Sequence, residues 1–268
     1  MMNRSRPAVA LLSFFLLGLP ACRSYEFYTI ENLPPESRII VDGRIEDWRG
    51  SLSMIEGGDA SLGVSNDKEN LYVCLVAESS LLQAQIMATG VTVWFDPHGG
   101  TKKILGIRYL GRAIEEARLR QAGETDRNPS PGDPFGNEPS GLEIIRSGKS
   151  DFRDMETVNA LGIEAKFVPT AALVAYELKI PLLPTEAHPL AVGAPPGQVI
   201  GLGIDTSDPH GRKTVRRPLG GMPPMGGGSG WERGGVLGGY DLTPDIPGRL
   251  KIWGRVRLSP SREGALTF

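Results

Sequence analysis

The chain has 268 residues, and its 29 basic and 31 acidic side chains are interspersed and sum to a formal charge of −2. That pattern lacks the clustered basic surface that a nucleic-acid binder needs. Its 35 glycines and 22 prolines fall between short apolar runs, which points to a turn-rich all-β domain large enough to rest on its own core.

The first 27 residues read MMNRSRPAVALLSFFLLGLPACRSYEF. Arg4 and Arg6 form a basic head, and Ala8 to Leu19 form an apolar run of 12 residues. A bilayer-spanning helix needs about 20, so the run fits an export signal instead. It ends at Leu19-Pro20-Ala21-Cys22, which resembles the lipobox of bacterial lipoproteins, with Leu three before the cysteine and a small residue just before it. The resemblance implies a signal peptide over 1–21, acylation of Cys22 as the first mature residue and a tether over 22–37. Arg23 then implies no inner-membrane retention, and hence an outer-membrane place in the envelope of a two-membrane bacterium. With Cys22 acylated, Cys74 in LYVCLV has no disulfide partner and reads as a small buried hydrophobe in a central strand.

Strands are expected at Arg38–Val41, Ala60–Val64, Leu71–Ala77, Val91–Phe95, Lys103–Leu110, Leu161–Phe167, Leu173–Ile180, Val199–Ile204 and Leu250–Leu258. SNDKEN and DPHGG have turn composition. One helix is expected over Ala113–Gly123, acidic early, basic late and stopped by glycine. Two Pro- and Gly-rich stretches, near 113–140 and 219–239, read as insertions in a single domain spanning 38–258, with 259–268 as a tail.

The order of IIVDGRIEDW, VSNDKENLYVCLVAE, VTVWFDPHGG, AYELKIPL and LKIWGRV resembles the carbohydrate-binding module family 9-like domains of the DOMON-like β-sandwich group. The resemblance implies a jelly-roll type sandwich and a non-catalytic binding role, with carbohydrate as the partner. An envelope protein-interaction lipoprotein is the alternative. A DOMON-like haem carrier is a third reading, for which Met222 and Met225 are available. Some relatives of this fold carry calcium, so calcium stays open, but no cofactor is predicted.

No Gly-x-Ser-x-Gly or His-Glu-x-x-His motif is present. SGLEIIRSGKS carries Glu143 where a phosphate loop needs glycine, and no catalytic residue is assigned. Asp96, His98, Asp208 and His210 lie in two identical Asp-Pro-His-Gly tetrapeptides and are a weak metal candidate. The simpler reading makes each a turn. Glu177 is expected to pair with a neighbouring cation. By alternation Trp94 and Trp253 lie opposite their strands' apolar faces, where each ring either stacks on a sugar or, as large aromatics usually do, lies covered by an insertion such as Ala113–Ser140; Trp231, set in glycine, is the third candidate. Trp48 is expected to plug an end of the sandwich.

Overall fold

The computed structural model describes residues 27–30, 32–33, 39–55, 59–123, 140–206 and 250–260. In chain order these give β1 (Phe27–Ile30), β2 (Asn32–Leu33), β3 (Ser53–Ile55), β4 (Ala60–Asn66), β5 (Asn70–Ala77), α1 (Ser80–Thr89), β6 (Val91–Asp96) and β7 (Leu105–Tyr109). There follow α2 (Arg112–Ala122), β8 (Gly141–Arg146), β9 (Lys149–Asp154), α3 (Met155–Ala160), β10 (Glu164–Pro169), β11 (Val174–Pro181), β12 (Val199–Asp205) and β13 (Lys251–Arg257). The strands make the expected sandwich. The larger sheet runs β1-β13-β12-β6-β7-β8-β9, and the smaller runs β10-β11-β5-β4-β2, with β3 also on β4. Neighbours are antiparallel except β1 on β13 and β2 on β4.

Alternation sets the core. On β6 Val91, Val93 and Phe95 face inward, and on β5 Leu71, Val73 and Leu75 meet them from the other sheet. Each such side chain contributes about 1.5–3 kcal/mol on burial. α1 bridges β5 to β6 and closes one end, with Leu82 and Ile86 in the same core. Ser79 caps it by accepting from Leu82 N, and Gly90 ends it with φ +84°.

The smaller sheet is apolar on its outer face too, because residues 39–52 fold across it. Trp48 is 0% exposed there, packed with Ile39, Cys74 and Val76. It therefore lies on a sheet face and not at an end of the sandwich. Its ring occupies the space above Gly63, where an added Cβ would come within 2.5 Å of a ring carbon. Glu177 holds the segment down. Its carboxylate accepts from Trp48 Nε1 (2.6 Å), Gly43 N (2.5 Å) and Asp42 N (3.1 Å), so N–H donors take the place of the expected cation. The Asp-Gly turn is thus required for its two amide protons, and Gly43, at φ +83°, leaves no room for a side chain beside Val168. Burial raises the Glu177 carboxyl above its ordinary value even against these bonds.

Several expectations change. The described part of the Arg38–Val41 expectation, residues 39–41, forms no strand; Ile40 N donates to Asp47 Oδ2 at 3.0 Å instead. The segment expected as a tether contributes β1 to one sheet and β2 to the other. SGLEIIRSGKS is part of the β8–β9 hairpin, turned by Ser147 and Gly148 at φ +50° and +75°. α1 and α3 join the one expected helix. Asn66 Oδ1 accepts from Asn32 Nδ2 (2.5 Å) and Ser259 N (2.7 Å), which ties the chain's entry to its exit.

Cys74 sits on the central strand β5, fully buried beside Glu177, and burial pushes its thiol far above the ordinary range. Thiol labelling should therefore be slow in native buffer and fast on unfolding. Rapid native labelling would place β5 at a sheet edge.

Candidate functional site

The outer face of the larger sheet carries two cross-strand rows. Successive pairings run Trp253, Gly203, Trp94, Gly106, Ile145 across β13, β12, β6, β7 and β8. Large and absent side chains alternate. A Cβ on Gly106 would stand 2.6–3.0 Å from three atoms of the Trp94 ring, and one on Gly203 would stand 2.7–2.9 Å from three atoms of Trp253. Each indole therefore lies face down over the glycine of a neighbouring strand, the position where any other residue would lift it off the sheet.

The adjacent row, two residues along each strand, runs Lys251, Asp205, Thr92, Arg108, Glu143, Phe152. Arg108 is 1% exposed; its guanidinium donates to Glu143 Oε2 at 3.2 Å and to Thr89 O at 2.9 Å. Lys103 reaches from the β6–β7 turn, passes over the Trp94 ring with Nζ 4.7 Å from its centroid, and donates to Asp205 Oδ2 at 2.9 Å. α2 covers the far side of the face, where the Arg118 guanidinium lies 3.8 Å from the centre of the Phe152 ring.

Between the two charged pairs, two buried polar atoms have no hydrogen-bond partner among the described residues: Trp94 Nε1 and Thr92 Oγ1. They sit two apart on β6, on the same face. Leaving such groups unpaired costs about 1–3 kcal/mol each, and sites of that kind recur where a ligand or water is to be bound.

The structure decides between the two readings of the tryptophans. Trp94 and Trp253 occupy the expected face and come together through the glycine-floored row, but they are 3% and 2% exposed, not open platforms. Trp231 lies outside the described residues, as do Cys22, Asp208 and His210. Asp96 is committed to its turn: Oδ1 accepts from His98 N (3.0 Å) and Oδ2 from Lys102 N (2.9 Å), while the exposed His98 ring sits 3.4 Å from Oδ1. The turn reading of DPHGG accounts for those contacts. Among the described residues no three His, Cys, Asp or Glu side chains converge as a metal cluster. Arg108, Glu143, Asp205, Thr92 and Lys103 were missed. For all but Lys103, which lies in the β6–β7 turn, the signal was a polar residue within an otherwise apolar strand, as in LGIRY, GLEII and GLGID.

A scan against protein-family models matches none, and no curated protein matches the chain. Among solved structures the fold is similar to a carbohydrate-binding module family 9 protein from Caldicellulosiruptor kristjanssonii, in complex with glucose (TM-score 0.30) and with cellotriose (TM-score 0.32). Identity is 12% in both, over 67% of this chain and 76% and 75% of those chains.

Proposed function

We propose that this protein is a non-catalytic carbohydrate-binding lipoprotein of the cell envelope, anchored through Cys22, and that it takes its sugar on the outer face of the larger sheet at Trp94. The observation that carries the reading is the buried pair of unsatisfied atoms, Trp94 Nε1 and Thr92 Oγ1, set between the Lys103–Asp205 and Arg108–Glu143 pairs. A pyranose presents an apolar ring face and hydroxyls that both donate and accept. An indole ringed by carboxylates, cations and a free hydroxyl matches both demands. Lys103 is the mobile part: its side chain is 40% exposed, and swinging its ammonium off the indole frees a ring face and a donor together.

A glycan array followed by calorimetric titration tests this. Trp94→Ala should weaken binding severalfold or more, since stacking on an aromatic ring supplies on the order of a kcal/mol. Trp94→Phe keeps a ring and isolates the Nε1 donor. Trp253→Ala and Trp231→Ala complete the set, and Trp48→Ala should bind normally while melting early. If the three other tryptophan sites can be emptied without loss of affinity, the aromatic site is wrong. An array without a glycan hit turns the assignment to an envelope protein partner.

A further inference from the structure

We infer that the anchored protein sits with one particular end of its sandwich against the bilayer: the end closed by α1, where β13 begins. The inference rests on the acylation of Cys22 proposed above and adds the orientation that follows from it. The sequence suggests a tether over residues 22–37, yet Phe27 is already paired with Trp253 on β13. Five residue steps separate Cys22 from Phe27, and fully extended they reach about 17 Å. The domain cannot stand off from the membrane that holds its first residue.

Strand direction chooses the end. β1 runs parallel to β13, so it enters the larger sheet from the side of Lys251 and not from that of Arg257. On the Lys251 side, Thr206 N donates to Leu250 O (3.0 Å) and Thr89 Oγ1 donates to Thr206 O (2.9 Å), which joins the end of β12, the start of β13 and the end of α1. The opposite end carries the Ser147–Gly148 turn and the DPHGG turn. From the Phe27–Trp253 pair to Arg257 is four residues of strand, about 13 Å. A chain reversing to run that way spends at least two residues in the turn, and the remaining three steps span about 10 Å. The far end is out of reach.

Thr206 and Leu250, which flank residues 207–249 in the sequence, both lie at the membrane-facing end. The face bearing Trp94 then stands upright beside the bilayer, so a ligand arrives along the membrane plane or from the open far end.

The experiment uses purified acylated protein in liposomes that carry a headgroup quencher. A fluorophore is attached at Ala88→Cys, exposed on α1, or at Lys149→Cys, exposed beside the far turn; buried Cys74 stays unlabelled. Quenching should be several-fold stronger at position 88 than at 149. A Gly-Ser spacer of about twenty residues after Cys22, reaching a few tens of ångströms, should erase the difference. Equal quenching without the spacer, or stronger quenching at 149, overturns the orientation. Recovery of wild type and Cys22→Ser alike in the aqueous phase of a detergent partition removes the anchor itself, and the inference with it. Sugar binding measured on soluble protein is unaffected by either result.

Discussion

Trp48→Ala should lower the unfolding free energy by about 3–5 kcal/mol, the usual cost of emptying a site filled by a large buried aromatic. Two losses add here: the ring that fills the space over Gly63, and the indole N–H that donates to Glu177. Trp48→Phe separates them, since it keeps most of the ring and should cost about 1–3 kcal/mol through the unpaired carboxylate oxygen. Glu177→Gln should cost a similar about 1–3 kcal/mol, because an amide offers one acceptor where three N–H groups converge and turns its own donor toward another donor.

The same latch has a pH dependence with a defined sign. Burial raises the Glu177 carboxyl above its unfolded value, so in the window between the two values the folded state binds the proton more tightly than the unfolded chain does. The group's contribution is then fully present below the ordinary glutamate value and declines as pH rises through the raised one. Urea unfolding at a series of pH values should show the gap between wild type and Glu177→Gln narrowing upward across that window. A gap that widens instead would mean that the three hydrogen bonds outweigh burial and that the folded state prefers the carboxylate.

The second large effect is expected at Arg108. Replacing it with alanine leaves Glu143 buried without its cation and removes a donor from Thr89 O, a loss of about 3–5 kcal/mol for a broken buried pair. Arg108→Lys should recover only part, because a single ammonium cannot serve both acceptors with the geometry of a planar fork. Replacing Arg108 and Glu143 together by leucine should be much milder than Arg108→Ala, since neither member of the pair is then left buried and charged without the other. Denaturation of Arg108→Leu, Glu143→Leu and the double leucine variant gives the coupling energy directly. Additive losses would show that the two side chains do not act as a pair. If Arg108 also helps to hold a sugar, the leucine pair should fold well and bind poorly, which separates its part in stability from its part in recognition.

Most of the sandwich could be read from alternation because the core strands carry it plainly. LYVCLV, VTVWF and AYELKI each place a large apolar or aromatic residue at every second position, and eight of the nine expected strands have counterparts with ends moved by up to three residues. It was passed over in β8, GLEIIR, although Leu142 and Ile144 face the core, and elsewhere it failed where a strand has no apolar face to show. β9, KSDFRD, is an edge strand with little apolar side chain to reveal it, and β1 and β2 are too short to display a period. α1 carries Leu81, Leu82, Ile86 and Met87 without a clean polar stripe, so only its Ser79 cap and Gly90 stop marked it. For the candidate site, alternation put Trp94 and Trp253 on the correct face. Alternation does not tell a covered outer face from an open one, because a wide sheet can be covered on both faces. The glycine beneath each ring and the Thr92–Arg108–Glu143 row belong to different strands, and cross-strand register brings them together. No local pattern encodes register.

The parallel pairing of β1 with β13 also decides how the domain responds to a pull. A chain held at its front and drawn from its rear enters the sheet at one end and leaves β13 at the other, so the load runs along the strand axes. The four paired positions from Phe27–Trp253 to Ile30–Val256 then resist sliding together, each sharing the tension at once. An antiparallel closing pair would instead open like a zip, breaking one bond before the next feels any force. Asn66, which grips Asn32 on one side and Ser259 on the other, ties the same seam at the outgoing end. In the proposed anchored form, the first strand would be a shear clamp between Cys22 and the body of the protein.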